Sequence, residues 1–232
     1  MGTSRSTRII EADMEHNFWH ERWQSNQLGF HQDATNQRLM TYWPRLELAA
    51  GSTVLVPLCG KSLDMVWLAA QGHKALGIEL SQIAVDAFFS ENQLPTTKET
   101  VRDFEVSRSG AIEIWCGDFF KFDPALMATA DAVYDRGSLV ALPTDMRPDY
   151  CAKIKADLSP KAKQLLALIE YNQNEMQGPP FSVSKEYVIE HYGDCFAIEQ
   201  LHDEQISELP DRFRERGLTA MRDTAYILGP KS

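Results

Sequence analysis

Short runs of branched apolar residues, each followed by a polar turn and then a helix-spaced segment, recur from about residue 54 to residue 171. Val54-Leu55-Val56-Pro57-Leu58 has the composition of a parallel strand buried on both faces. Residues 62–71 read as a helix stopped by Gly72, 75–80 as a second strand, and 81–92 as a helix capped by Ser81. Residues 98–109 are polar and read as a loop with a short strand. Further strands are predicted at 112–116, 132–134 and 163–171. Pro148 opens a helix before the last of these, and another helix at 184–192 is bounded by Ser184 and Gly193. A strand pair at 195–202 and 219–228 closes the pattern. Upstream, Phe18, Trp19, Arg22 and Trp23 crowd one side of a helix. A loop over 25–35 precedes a second helix, 36–48, with Pro44 placed to kink or split it. Strand alternating with helix, without repeat or linker, predicts a single α/β domain with a doubly wound, mostly parallel sheet.

Bulk properties narrow the class. A chain of 232 residues can bury a large core, and its 44% hydrophobic and 24% charged content is ordinary for a soluble globular protein. No apolar stretch approaches the roughly 20 residues needed to span a bilayer, and no signal-peptide pattern appears at the start. The formal net charge of −10 disfavours a nucleic-acid partner and suits a small ligand. The four cysteines, Cys59, Cys116, Cys151 and Cys195, have no CxxC pair and no metal-ligand spacing. They read as reduced thiols of a cytoplasmic protein, and with six dispersed histidines they give a metal site no support. Residues 1–8 are polar and aperiodic, and residues 1–13 read as an upstream extension outside the fold. Met14 then begins one domain running to 232.

The candidate chemistry stands where an open parallel sheet places its ligands, beyond the carboxyl ends of the strands. Residues 58–62 follow the first strand, Glu79 ends the second, Gly117-Asp118-Phe119-Phe120 follow the third and Asp135-Arg136-Gly137-Ser138 the fourth. Four polar turns at four successive strand ends make a coherent site. Glu79 is placed to bind a ribose diol, and Asp118 and Phe119 to meet the edge and face of an adenine. The first turn holds one glycine, whereas a pyrophosphate needs the closer backbone approach of GxGxxG. That departure disfavours NAD and favours S-adenosylmethionine. Gly60-Lys61-Ser62 lacks the earlier glycine of a P-loop, since that position is Leu55. Gly178-Pro179-Pro180-Phe181 is only superficially like the Asn-Pro-Pro-aromatic signature of amino-group methyltransferases. It lacks the asparagine and follows the fifth strand rather than the fourth, so it reads as a stiff loop over a substrate pocket.

These residues resemble the thiopurine S-methyltransferase family from about Phe18 to Leu228. The likeness rests on Phe18-Trp19-x-x-Arg22-Trp23, Gly29-Phe30-His31, Pro57-Leu58-Cys59-Gly60-Lys61, Gly72-His73, Gly77-Ile78-Glu79-Leu80-Ser81, the stretch from Tyr134 to Ala141, and Gly178-Pro179-Pro180-Phe181. The resemblance implies a class I S-adenosylmethionine-dependent methyltransferase fold with a seven-stranded sheet and an N-terminal helical cap. It implies cofactor contacts at Trp23, Leu58, Glu79, Asp118, Phe119 and Arg136, those at 118 and 119 through the backbone because the family varies there. Phe30 matches an aromatic beside the acceptor, and Arg216 a second arginine near the thiopurine. The short N-terminal arm is similar to bacterial members.

The expected reaction is in-line attack of an acceptor sulfur on the sulfonium methyl, releasing S-adenosylhomocysteine. Arg136 and Arg216 are expected to favour the thiolate through charge-assisted hydrogen bonds, and Trp19, Trp23 and Phe30 to wall the pocket. The implied partner is a small aromatic or heterocyclic thiol acted on by a monomer, with no membrane and no nucleic acid. Rival expectations are methylation of selenium or tellurium oxyanions in detoxification, a non-catalytic adenosyl-ligand binder, and an NAD-dependent oxidoreductase.

Overall fold

Successive side chains of Thr53–Val56 (β1) point to opposite faces of a sheet, and both faces are dry. Val54 and Val56 pack with Leu39, Trp43, Leu46 and Met65, while Leu55 packs with Tyr150, Ile154 and Tyr226. With helices on both sides no wet face remains, which is why the run shows no polar alternation. The computed structural model describes residues 18–25 and 32–231. The sequence readings of residues 1–13 and of Phe30 lie outside the described residues.

The remaining strands are Lys74–Glu79 (β2), Thr97–Val101 (β3), Phe104–Ser109 (β4), Ile112–Cys116 (β5), Ala132–Arg136 (β6), Lys163–Glu170 (β7), Phe196–Gln205 (β8) and Arg222–Pro230 (β9). They form one sheet in the order β3-β4-β5-β2-β1-β6-β7-β9-β8. The five central strands, β5 to β7, are parallel, and β9 and β8 close that edge as an antiparallel pair. Seven of these strands match the expected doubly wound sheet; the sheet has nine. The extra two are the antiparallel hairpin β3–β4, in the segment read as a loop with a short strand. All of β3 is exposed except the half-buried Val101, so it carries no apolar alternation to read. Its turn at Arg102 takes a left-handed φ of 54° without glycine. Phe104 and Val106 of β4 are buried, and Phe104 lies 5.9 Å from Trp115 in an edge-on contact.

Helices occupy residues 18–24 (α1), Gln37–Tyr42 (α2), Asp64–Ala70 (α3), Gln82–Glu91 (α4), Pro124–Met127 (α5), Arg147–Asp157 (α6), Lys185–Tyr192 (α7) and Asp211–Arg214 (α8). The helix expected over 36–48 is split as Pro44 foretold: Asn36 caps α2, and Trp43–Leu46 continues as a tighter 3-10 turn. Pro44 has no N–H to give an α-helical bond. Asp64, buried at the start of α3, accepts the Asn36 N–H at 2.7 Å and the Tyr134 hydroxyl at 3.0 Å, tying the cap helix to the sheet. Ser184 caps α7 as expected, accepting the Tyr187 N–H at 3.2 Å. Ser81 stands at the cap position of α4, but its hydroxyl makes no cap bond, while its backbone N–H donates to Glu79.

Candidate active site

At the end of β1 the chain turns sharply, with Leu58 at φ 46° and Gly60 at φ 55°. A left-handed Leu is costly for a branched side chain, and it is held by long-range bonds. The Cys59 N–H donates to the Ile78 carbonyl at 3.0 Å, and the Gly60 N–H donates to Glu79 Oε2 at 2.8 Å. The other carboxylate oxygen, Oε1, accepts the Ser81 N–H at 2.8 Å. Glu79 therefore welds the first two strand-end turns together, and each oxygen keeps a lone pair for a further donor. The free acid of the sequence reading is thus half committed. Gly77 belongs to the same construction: a Cβ there would stand 2.8 Å from Cys59 Sγ and 2.8 Å from Met65 Cε. Its absence lets Cys59 pack flat on β2. Burial pushes the Cys59 thiol well above its usual range, so it packs as a small apolar residue rather than acting as a nucleophile.

Burial raises the Glu79 pKa, and hydrogen bonds from the Ser81, Gly60 and Leu80 backbones pull it back. Protonation converts one oxygen from acceptor to donor, leaving an N–H of the turn without its partner. Affinity for an adenosyl ligand is therefore expected to be full above the raised pKa and lost as pH falls through it. The loss sets in above the 4.5 of an ordinary glutamate. Titration calorimetry with S-adenosylhomocysteine from about pH 8 to about pH 4 checks this, and constant affinity down to the ordinary carboxylate range contradicts it.

The third turn is a 3-10 turn, Phe119–Lys121, capped by Asp118 Oδ1 accepting the Phe120 N–H at 2.9 Å. The Asp118 carboxylate is thus occupied in shaping the turn. Phe119 is buried and lies 5.1 Å from the ring of Tyr150. The fourth turn is built on Asp135, whose buried carboxylate accepts the Ser138 and Leu139 N–H groups at 3.2 Å and the Tyr150 hydroxyl at 2.7 Å. Ser138 Oγ donates to the Pro57 carbonyl at 2.5 Å, locking the fourth turn to the first. Burial raises the Asp135 pKa against these donors. Arg136 follows on the cavity wall, and among the described residues its guanidinium has no hydrogen-bond or ion-pair partner. Sequence reading missed Tyr150, which joins the third and fourth turns from α6. In the sequence it is one more apolar position of a helix face.

These turns open on one cavity of about 680 Å³, within the usual range for a small-molecule site. Trp19, Trp23, Leu58, Glu79, Asp118, Phe119, Arg136 and Arg216 all line it. Trp23 is buried over the first turn, with Cζ2 3.5 Å from the place of a Gly60 Cβ. Across the cavity, Arg216 donates Nη1 to the Pro179 carbonyl and Nη2 to the Gly178 carbonyl, both at 2.9 Å. The structure thus gives Arg216 a grip on the Pro-Pro loop as well as a place on the cavity wall. That loop is also held by the Tyr171 hydroxyl, which donates to the Pro180 carbonyl at 2.7 Å. Among the described residues no group of three His, Cys, Asp or Glu side chains is placed to hold a metal ion, and no helix is long and apolar enough to cross a membrane.

The family model described as thiopurine S-methyltransferase (TPMT) matches residues 14–231. The chain is 43% identical over 213 residues to a thiopurine S-methyltransferase of Pseudomonas fluorescens, covering 92% of this chain and 98% of that one. It is 44% identical over 215 residues to one of Pseudomonas paraeruginosa, covering 93% and 99%. A similar solved structure is the 1,6-didemethyltoxoflavin-N1-methyltransferase of Burkholderia thailandensis with bound 1,6-didemethyltoxoflavin and S-adenosylhomocysteine. Its TM-score is 0.65 at 14% identity, over 100% of this chain and 93% of that one. At that identity the likeness establishes the fold alone, that of a class I methyltransferase, here widened by the β3–β4 hairpin. Family match and relatives each run over nearly the whole chain: it belongs to the thiopurine S-methyltransferase family.

Proposed function

We propose that the chain transfers the methyl group of S-adenosylmethionine to the sulfur of a thiopurine or another aromatic or heterocyclic thiol, releasing S-adenosylhomocysteine. The observation that carries this is the convergence of four strand-end turns on one cavity, with the Glu79 carboxylate at its edge retaining lone pairs for a ribose diol. Family membership and the names of the relatives support the sulfur acceptor. The donor fits the residues present: a buried acid for hydroxyl donors, an aromatic wall at Trp23 and no glycine-rich cradle for phosphates.

S-adenosylmethionine supplies an activated methyl on a sulfonium, so the chain's own work is alignment and exclusion of water. The turn at 58–60 and Glu79 hold the ribose; the backbone of the turn at 118–119 meets the adenine. Trp23 covers the first turn and offers an aromatic face toward a sulfonium. The Arg136 guanidinium donates to the acceptor sulfur and favours its anionic form. Trp19 walls the acceptor side, as does Phe30 by the family pattern, and Arg216 holds the Pro-Pro loop against it. The wider reading is a cytoplasmic monomer that detoxifies foreign thiols.

The test is a methyl-release screen of the purified protein against thiopurines, thiophenols, selenite and tellurite. Thiopurines and thiophenols are expected to be turned over at least about tenfold more efficiently than the oxyanions. Turnover of the oxyanions alone would move the acceptor assignment to them. Tight S-adenosylhomocysteine binding without turnover of any acceptor would leave only a binder.

A further inference from the structure

The acceptor end of the cavity is walled by two loops, one after β6 and one after β7, that are distant in sequence. Val140, Ala141 and Leu142 line it from the first, Pro179 and Pro180 from the second. The Phe181 N–H donates to the Val140 carbonyl at 2.6 Å. A second link is Arg147, in the first turn of α6. Its Nε donates to the Leu142 carbonyl at 2.8 Å and its Nη1 to the Ser182 carbonyl at 2.9 Å. The guanidinium also stands 5.4 Å from the Phe181 ring centroid and 5.9 Å from that of Tyr187.

Arg147 is only 2% exposed. A cation taken so far from water normally brings an acid with it, because desolvation costs several times what one neutral hydrogen bond returns. Among the described residues no carboxylate lies within ion-pair distance of Arg147, and Nη2 has no hydrogen-bond partner. An apolar side chain would fill this space at lower cost. What it would lack is two donors in a rigid fork, able to reach carbonyls on two loops at once.

We propose that Arg147 is a positioning residue for the methyl acceptor, stapling the loop after β6 to the Pro-Pro loop so that the two walls keep a fixed separation. The proposal rests on the acceptor reading above. Arg216 grips the same loop at residues 178 and 179, so two arginines fix its two ends through backbone carbonyls. Arg147 touches neither donor nor acceptor; it works through the walls.

Arg147→Ala is expected to raise the KM for mercaptopurine about tenfold, with kcat and S-adenosylhomocysteine affinity changed by less than about threefold. Millimolar methylguanidinium should recover part of the lost KM. Amide exchange over residues 178–184, measured with S-adenosylhomocysteine bound, should quicken about tenfold while β1 and β2 stay protected. Should the alanine variant fail to fold, Arg147→Lys keeps the charge and most of the volume, and the same changes are expected at about a third of the size. Unchanged exchange over 178–184 in a folded variant overturns the proposal. So does a rise in KM matched by an equal loss of S-adenosylhomocysteine affinity. The exchange measurement needs no acceptor, so absence of thiopurine turnover in the unmodified protein would sink the acceptor reading while leaving the staple to be judged on its own.

Discussion

Glu79→Gln is expected to lower S-adenosylhomocysteine affinity about a hundredfold, nearly as much as Glu79→Ala. The near-equivalence follows from how the two oxygens are used. Oε2 takes the Gly60 N–H and Oε1 the Ser81 N–H, each at 2.8 Å. A glutamine supplies one acceptor and turns a donor NH2 toward the second N–H. It therefore loses a charge-assisted bond and sets two donors face to face. A ribose hydroxyl bonded to the charged carboxylate would contribute about 1.5–3 kcal/mol, and 2.7 kcal/mol is about a hundredfold in affinity. The first strand-end turn loosens in the same stroke, so Leu58 and Gly60 lose part of what holds their left-handed backbone. Calorimetry on a variant shown to be folded decides it; wild-type affinity in Glu79→Gln would remove the residue from the ribose site.

Arg136→Ala should act differently. The guanidinium sits on the cavity wall with no partner among the described residues, so its donors are available to a ligand. Removing a donor aimed at the reacting centre typically lowers turnover about a hundredfold to a thousandfold, and turnover with a thiopurine should fall at least about a hundredfold. S-adenosylhomocysteine affinity should fall no more than about tenfold. The sign with pH follows from its charge: a cation beside the acceptor sulfur lowers the pKa of the thiol. In Arg136→Ala the acid limb of kcat, which reports the bound thiol, should therefore move to higher pH. Arg136→Lys keeps the charge but not the planar fork, and it should restore the pH profile better than the rate. Equal losses in turnover and S-adenosylhomocysteine affinity, with an unmoved acid limb, would make Arg136 a cofactor contact alone.

The parts of this site that could be read in the sequence are those written in consecutive residues. A buried parallel strand is a short branched run, and the polar residue that ends it marks the ligand edge of the sheet. Glu79, Asp135, Arg136 and the turn at 58–60 were placed in this way, and the order of the strands did the rest. The missing glycines of the first turn carried information because a pyrophosphate demands a closer backbone than Pro57-Leu58-Cys59-Gly60-Lys61 provides.

What stayed hidden depends on partners far apart in the chain. The hydroxyl of Tyr150 meets Asp135, and its ring meets Phe119, but in the sequence it is an ordinary position on an apolar helix face. Arg216 reads as a ligand arginine, and its bonds to the carbonyls of residues 178 and 179 join it to a loop 37 residues away that no local pattern reports. Ser81 read as a cap because its residue type and place are right. The buried Glu79 two residues earlier takes its N–H, and no periodicity reports that bond. The β3–β4 hairpin was missed for a simpler reason: exposed β3 buries almost nothing, so its residues have no cause to alternate.

Regiochemistry is the most direct test of the acceptor assignment. The purified protein is incubated with methyl-labelled S-adenosylmethionine and mercaptopurine, and the product is resolved by mass spectrometry and carbon NMR. The expected result is label on the exocyclic sulfur, one methyl per S-adenosylhomocysteine released, with the rate collapsing in Arg136→Ala. Label on a ring nitrogen, or S-adenosylhomocysteine bound tightly with no methylated purine formed, would contradict it.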